Sequence, residues 1–241
     1  MAGPTRRKMA TPMIPEPNHD APPDNPLGFI ARPTPYLRAS VERQRTKLVP
    51  AEFLEMIATI RSVFDKYTAK LEGVNAGADR ARALHQLLDQ ALQSAAHIPV
   101  SCRKGCSGCC HYEIEITQDE AALLAAVVWG GVDVDYDRLA KQAARERKSA
   151  EWSNILRPEN RCVFLDTDGA CRVYEHRPSA CRRHLVTSPA EACSTPGQPV
   201  APVEVLLAEI LLSAALSLEG VTYASLSKML LAACRTFNGR D

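Results

Sequence analysis

The feature that most constrains this chain is its cysteine content. The chain has nine cysteines in 241 residues, and four of them lie within a stretch of nine residues that also contains two glycines. The four are Cys102, Cys106, Cys109 and Cys110. A second group follows further along the chain, and it consists of Cys162, Cys171, Cys181 and Cys193. Ordinary core packing does not require thiols at this density, so the spacing favours thiolates that share metal ions.

The first cluster suits a soft metal ion. Zinc and the iron of an iron–sulfur cluster both prefer thiolate sulfur. Gly105 and Gly108 permit the tight turn that two nearby cysteines need to reach one ion, and such turns point backbone N–H groups at the sulfurs. Cys109 and Cys110 are adjacent, and adjacent side chains in extended backbone point to opposite sides. These two cysteines therefore favour separate ions, or only one of them acts as a ligand.

Several ligand sets satisfy this pattern. Eight cysteines divide into two four-sulfur sites, seven cysteines with His184 or His176 also complete two sites, and a single four-cysteine iron–sulfur cluster leaves the remaining thiols free. Disulfides are the main alternative, but they require an oxidising compartment. Arg6, Arg7 and Lys8 are followed by a proline-rich polar stretch rather than by the apolar core of a signal peptide. We therefore expect a cytoplasmic protein.

Composition limits the partners that the chain can have. The net charge is +1 and the apolar share is 46%, which predicts a globular core without a strong field for nucleic acid or an anionic membrane. No apolar run is long enough to cross a bilayer. A protein partner that binds apolar helix faces remains open. The arginines around the cysteines are explained by charge balance, because four thiolates on a divalent ion leave a negative site.

Proline and apolar periodicity divide the chain. Nine of its seventeen prolines lie in the first 35 residues, which favours an unstructured segment. Apolar residues at steps of three and four predict helices over 51–71 and 79–96. The predicted units are a disordered tail (1–47), a helical hairpin (48–98), a cysteine-cluster metal-binding domain (99–190), and a loop with C-terminal helices that pack on that domain (191–241).

The cysteine domain and the C-terminal part contain weaker local signals. Residues 111–116 alternate as in a short strand, and Thr117 to Glu120 form a capping box before a helix. A charged helix is expected over about 133–148, and Asp168-Gly169 predicts a hairpin over 162–174. A short helix that carries Cys181, and two apolar helices over 203–217 and 222–236, complete the prediction. The fold class is mainly α, a helical domain around an irregular cysteine-rich metal-binding core with at most a small β-hairpin.

Two blocks of residues resemble a known family. The first is Cys102-x-x-Gly105-Cys106-x-x-Cys109-Cys110, and the second runs from Cys162-x-Phe-Leu through Gly-x-Cys171-x-Val-Tyr-Glu-x-Arg-Pro-x-x-Cys181-Arg. Together they resemble the YkgJ-type cysteine-cluster family, also known as the CxxCxxCC or zinc- or iron-chelating domain. The resemblance covers roughly 100–185 and implies ligand roles for seven of the cysteines. Cys193 lies beyond it and is assigned as the eighth ligand from spacing alone, whereas Cys234 is expected to be a buried structural thiol.

The resemblance leaves the activity open. A relative, the flagellin lysine methylase, combines a similar cysteine arrangement with an iron–sulfur cluster, which makes that cofactor a candidate beside Zn²⁺. No methyl-donor element, Walker loop, dinucleotide-binding glycine pattern or HExxH motif is recognisable here. Three classes therefore stay in view: a metal-binding protein without assigned activity, an iron–sulfur enzyme of redox or group-transfer chemistry, and a metal carrier or thiol sensor. Whether the protein is an enzyme, and which residues would be catalytic, are not decided by the sequence.

Overall fold

The computed structural model describes residues 24–153 and 158–238, and within these ranges the chain is mainly α-helical, as the sequence predicted. The helices of these ranges are α1 (Pro35–Arg45), α2 (Pro50–Glu72), α3 (Ala78–Gln93), α4 (Gln118–Trp129), α5 (Tyr136–Ala143), α6 (Ala150–Ser153), α7 (Ser179–Arg182), α8 (Leu206–Ser217) and α9 (Leu226–Asn238). The two strands are β1 (Glu115–Thr117) and β2 (Tyr223–Ser225). No helix of the described ranges combines the length and the apolar character that crossing a bilayer requires.

The larger hydrophobic core surrounds α8. Every residue from Ala208 to Ala215 is buried, so this helix is enclosed on all sides, as expected of a central core helix. Helices α1, α2 and α3 pack around it. The buried face of α2 follows the predicted spacing, and its members are Phe53, Ile57, Ile60, Phe64 and Leu71.

A smaller core lies between α4, α5 and α9, and it reaches the cysteine segment through Phe164 and Val173. Helix α4 begins with the predicted capping box, in which Thr117 and Glu120 satisfy each other's backbone N–H groups. Helix α3 packs against α4 and also against α7. The two cores therefore flank the segment that carries the cysteines.

The two strands form a small antiparallel sheet in which Ile116 pairs with Ala224. Strand β1 leads directly into α4, and β2 leads directly into α9. The sheet therefore sets the starting points of both helices side by side, next to the end of the first cysteine cluster.

The prediction of a disordered tail over 1–47 is wrong for its second part. Helix α1 occupies Pro35–Arg45, and its residues Leu37 and Val41 are buried in the larger core. Thr34 caps this helix and donates a 2.6 Å hydrogen bond to Glu209 on α8. Residues 1–23 lie outside the described residues, so the prediction stands untested there.

Two further predictions need correction. The hairpin over 162–174 is reduced to a single bridge between Leu165 and Cys171, because turns occupy most of that segment. The charged helix over about 133–148 is helical only from Tyr136 to Ala143. Lys148 adopts a φ of 56°, which ends helical geometry, and its N–H donates to Glu113. The boundaries of the four predicted units remain a prediction.

Candidate metal centre

The first cysteine cluster forms an open loop that ends in a short 3₁₀ turn, Gly108–His111. Gly105 has a φ of +87°, in the left-handed region that favours glycine. Gly108 is required for a different reason: a Cβ there would lie 2.9 Å from the Cβ of Cys193. The 3₁₀ turn at Ala190–Ser194 therefore contacts the first cysteine cluster directly. This contact places Cys193 next to that cluster.

The second cysteine block docks on the same loop. The N–H of Cys162 donates a 2.8 Å hydrogen bond to the carbonyl of Cys110. Gly169, at the tip of the turn between Leu165 and Cys171, would place a Cβ 3.4 Å from the carbonyl oxygen of Gly105. Helix α7 supplies Cys181. Residues that are distant in sequence thus meet through backbone hydrogen bonds and glycine contacts, while Phe164 and Val173 anchor the second block in the smaller core.

Backbone groups also form hydrogen bonds with a cysteine sulfur. The N–H of Val186 lies 3.4 Å from the Sγ of Cys102, and the Cys102 thiol lies 3.6 Å from the carbonyl oxygen of His184. The phenol of Tyr112 donates a 2.6 Å hydrogen bond to the carbonyl of Cys193. Such contacts come from residues that are not themselves proposed metal ligands, and they fix the orientation of the cysteines.

Electrostatic interactions identify a first group of thiols. Burial raises the pKa of Cys193, and the neighbouring thiolates of Cys109, Cys102 and Cys106 raise it further. Burial also raises the pKa of Cys102, where the Val186 N–H acts in the opposite direction and Cys106 and Cys109 add to the rise. Because these interactions are short-ranged in water, they place the four thiols together.

A second group contains the cysteines of the later block. Burial raises the pKa of Cys162 to about 11, with further contributions from Cys171 and Cys109. Burial raises the pKa of Cys181 well above its ordinary value, and the thiolates of Cys162, Cys109 and Cys171 add to it. The pKa of Cys110 is raised first by its hydrogen bond with Cys109, then by burial, and then by Cys109, Cys162 and Cys181.

Cys109 lies between the two groups. Its hydrogen bond with Cys110 lowers the pKa of Cys109 to about 7, against the effect of burial. The same thiolate raises the pKa of six other cysteines, which are Cys102, Cys110, Cys162, Cys171, Cys181 and Cys193. The sequence analysis assumed extended backbone at this pair, with the two thiols on opposite sides, and this is wrong: both residues lie in the 3₁₀ turn Gly108–His111 and their thiols are hydrogen-bonded.

Two arginines balance this charge. Arg177 lowers the pKa of Cys102, Cys109 and Cys171, and Arg172 lowers the pKa of Cys162 and Cys171. The guanidinium of Arg177 lies 4.3 Å from the centre of the Tyr174 ring, and the described side chains include no acid partner for it.

The two histidines considered as ligands, and Cys234, differ in their surroundings. His176 is exposed, whereas the ring nitrogen Nε2 of His184 is buried and has no hydrogen-bond partner among the described residues. Burial lowers the pKa of His184, which keeps its ring neutral. Cys234 is 3% exposed within the smaller core, in agreement with the structural role expected of it.

Glu120 is a residue whose importance sequence reasoning missed. It was recognised as part of a capping box, but its Oε1 also accepts a 2.7 Å hydrogen bond from the N–H of Ser179 at the start of α7. His85 on α3 lies 3.3 Å from the same oxygen. Burial opposes ionisation of Glu120, but His85 and the N–H groups of Ser179 and Thr117 outweigh it and lower its pKa. No local pattern predicts these contacts, because they join residues far apart in sequence.

The donor set fits a thiolate-bound metal in chemistry and in location. All nine cysteines of the chain are free, and six of them interact with Cys109. No three His, Cys, Asp or Glu side chains in 24–153 and 158–238 are already placed to share one ion. Binding therefore requires side-chain rotation around the loops, which the half-buried positions of seven of the eight thiols allow.

Comparison with known proteins gives one match. Residues 101–195 match the model of the family CxxCxxCC, described as a putative zinc- or iron-chelating domain. This match confirms the resemblance found in the sequence and extends it to include Cys193. No curated protein and no solved structure matches the chain.

Proposed function

Because residues 101–195 carry the CxxCxxCC domain, a zinc- or iron-chelating domain by its description, we propose that the cysteines of this segment bind zinc or the iron of an iron–sulfur cluster. The proposed ligands are Cys102, Cys106, Cys109, Cys110, Cys162, Cys171, Cys181 and Cys193. The observation that carries the proposal is that the later cysteines dock on the loop of the first cluster, through the hydrogen bond from the Cys162 N–H to the Cys110 carbonyl and the close approach of Cys193 to Gly108.

We further propose a division into two sets of four. Cys102, Cys106, Cys109 and Cys193 form the first set, since Cys193 interacts with the other three. Cys110, Cys162, Cys171 and Cys181 form the second set, since Cys181 and Cys110 interact with Cys162. Cys109 and Cys110 are hydrogen-bonded to each other in the structure, so the division requires that this contact opens when metal binds.

This division favours metal binding as a structural or binding role. Zinc bound by four thiolates has no open coordination position, whereas catalytic zinc keeps one. When bound, the metal supplies cross-links between three loops that share few apolar contacts. The chain's own residues supply orientation: Val186 holds Cys102, Tyr112 holds the Cys193 turn, and Glu120 holds the start of α7.

The free thiols also support a location in the cytoplasm, where thiols stay reduced. A net charge of +1 supports a protein partner over nucleic acid.

An iron–sulfur enzyme remains the alternative activity. It is favoured by the cavity beside Cys109 and Cys181 that is described below.

Metal analysis of the protein purified without oxygen, together with a visible absorption spectrum, tests the proposal. We expect either about two zinc ions per chain and no colour, as four thiolates per ion imply, or iron with acid-labile sulfide and a broad thiolate–iron absorption band. Cys193→Ala should lower the metal content, and Cys234→Ala is the matched control that should not. Metal-free protein with paired cysteines, or equal metal loss in both variants, would overturn the proposal.

The division has its own test. Cys106→Ala should release the metal of the first set and keep that of the second, and Cys171→Ala should do the reverse. If either variant loses all metal while it remains folded by near-ultraviolet circular dichroism, the eight thiols form one site and the division is wrong.

A further inference from the structure

A cavity of about 860 Å³ opens beside the cysteine centre, and Cys109 and Cys181 form part of its wall. This volume lies in the range of pockets that hold small organic molecules. Much of the remaining wall is apolar, from residues such as Leu84, Ile116, Leu212 and Ala215. The cavity therefore offers a dry surface next to the proposed metal site.

Two buried polar atoms in the cavity wall have no hydrogen-bond partner among the described residues. They are Oγ of Ser179, a residue that is only 2% exposed, and Nε2 of His184. A buried polar group without a partner costs stability, so native structures rarely keep one without a use. Both atoms lie on or just after α7, which suggests that this part of the wall is completed by a bound polar group.

The same side of the cavity is rich in arginine. Arg32 precedes α1, Arg38 lies on α1, and Arg183 follows α7 with its guanidinium 4.4 Å from the centre of the Tyr36 ring. The contact between Arg183 and Tyr36 joins α7 to α1, so the three arginines belong to one wall. Arg32 uses Nη1 to donate to the carbonyls of Leu216 and Val221, which leaves other N–H groups of its guanidinium available.

Within the described residues, the acidic side chains that line the cavity already have partners, whereas some of the arginines lack an acidic one. Glu115 binds Arg147, Glu113 binds the N–H of Lys148, and Glu120 binds Ser179 and His85. Arg183 is paired with Glu209. In contrast, Arg32 bonds only to carbonyls, and Arg38 is exposed and has no ion-pair partner in the described ranges. The remaining positive charge favours an anionic group.

We propose that this cavity binds a small organic acid with a largely apolar body. The acidic group lies against the wall of α1 and α7, where Ser179 and His184 supply hydrogen bonds and Arg38 supplies charge. The apolar body fills the space between Ile116, Leu212 and Ala215. The bound molecule then lies next to Cys109 and Cys181. This binding is a separate property from metal chelation and does not depend on which metal is present.

Fluorescence titration of the full-length, metal-containing protein with anilinonaphthalene sulfonate, an apolar aromatic molecule with one acidic group, tests the proposal. We expect saturable binding at one site per chain. Decanoate should displace the probe at least tenfold more effectively than decanol, which has the same chain length without the charge. Equal displacement by the acid and the alcohol would overturn the requirement for an acidic group.

Variants then locate the site. Ser179→Ala should weaken decanoate binding about tenfold, as expected for the loss of a hydrogen bond to a charged group. It should not lower the melting temperature, because the hydroxyl has no partner to lose and the Ser179 N–H still binds Glu120. Arg38→Gln should weaken binding about threefold, and Arg45→Gln, on the same helix but outside the cavity, is the matched control.

A steric pair completes the test. Ala31 is exposed and lines the cavity, so Ala31→Trp should reduce binding severalfold without disturbing the core. Ala39→Trp, on the exposed surface of α1 and outside the cavity, should not. Wild-type affinity in both Ser179→Ala and Ala31→Trp would place the probe elsewhere and overturn the proposal.

Discussion

Every residue of α8 from Ala208 to Ala215 is buried, whereas none of residues 101–111 is, although they carry four of the proposed ligands. The region around α8 is built from helices whose apolar faces meet in one continuous core. The cysteine region is built from turns that meet through hydrogen bonds, glycine contacts and thiols. The region around α8 therefore obtains its stability from apolar burial, whereas the loop 101–111 contains no buried residue and depends on neighbours such as Phe164 and Val173 of the smaller core.

From this difference we expect the loop 101–111, unlike the helices, to depend on the proposed metal for its order. Ordering a turn-rich segment costs conformational entropy, and little apolar area is buried in return. Thiolates that bind metal can supply the missing free energy, as they do in small zinc domains. The comparison therefore predicts that perturbations will separate the two regions according to what each depends on.

Metal removal should have the largest effect. Structural zinc sites contribute on the order of 10 kcal/mol in small domains. We expect chelation to abolish hydrogen-exchange protection over 101–111 and in the turn at Ala190–Ser194, while α2, α4 and α8 stay protected. Hydrogen exchange measured by mass spectrometry, before and after chelation, checks this.

The control for chelation is the Cys234→Ala variant, which should lose protection in the same segments when metal is removed. Unchanged protection over 101–111 and Ala190–Ser194 in the metal-free protein would contradict the comparison. It would mean that backbone hydrogen bonds and glycine contacts alone hold the turns in place.

Glu120→Ala should have the next largest effect, since Glu120 connects α3, β1 and α7. Removing it leaves the buried His85 and the N–H of Ser179 without their acceptor. Loss of one partner of a buried charged contact costs about 3 to 5 kcal/mol. Chemical denaturation of the metal-containing protein measures this cost.

The matched control is Glu204→Ala. Glu204 pairs with Arg43 at the surface, where both side chains are at least 38% exposed, and such pairs contribute at most about 1 kcal/mol. If Glu120→Ala were no more destabilising than Glu204→Ala, Glu120 would not connect the two regions as the structure indicates.

Leu211→Ala tests the helical region alone. Leu211 is fully buried, and truncation of such a leucine costs about 2 to 5 kcal/mol. Leu206→Ala, at an exposed position of the same helix, should change stability by about 0.5 kcal/mol or less. The cost of Leu211→Ala should be the same with and without metal. A cost that depends on metal would show that the two regions do not behave separately.

Sequence reasoning predicted the features that depend on local patterns. The spacing of Phe53 to Leu71 predicted α2, the Thr117 capping box predicted the start of α4, and the two cysteine blocks predicted a family and its metal chemistry. These features are readable because a helix period, a cap or a thiol cluster is contained within a few residues.

The remaining features depend on contacts between distant residues. Strands β1 and β2 are only three residues long, too short to show a clear alternating pattern. Most of the cysteine segment and the whole of α8 lie between them in sequence, so neither strand indicates its partner. The prolines around α1 led the sequence analysis to predict disorder there. Part of the helix is buried because it packs against α8. The hydrogen bond from Val186 to the sulfur of Cys102 uses a backbone N–H, which every non-proline residue has, so sequence carries no signal for it.

Gly108→Ala should have the smallest effect and the most local one. The added Cβ would lie 2.9 Å from the Cβ of Cys193 and 3.2 Å from its carbonyl carbon, so the turn at Ala190–Ser194 must shift. Overpacking of this kind costs about 1 to 3 kcal/mol. Because the shift moves Cys193, the variant should lose metal from the first set of thiols and keep that of the second.

Gly73→Ala is the control, since its Cβ would meet only ordinary contacts of 3.6 Å at the end of α2 and its φ is −72°. It should keep full metal content and be neutral or slightly stabilising. Metal content and denaturation midpoints of both variants separate two explanations. If Gly108→Ala lost stability without losing metal, the contact between the two turns would matter for packing alone, and Cys193 would not belong among the ligands.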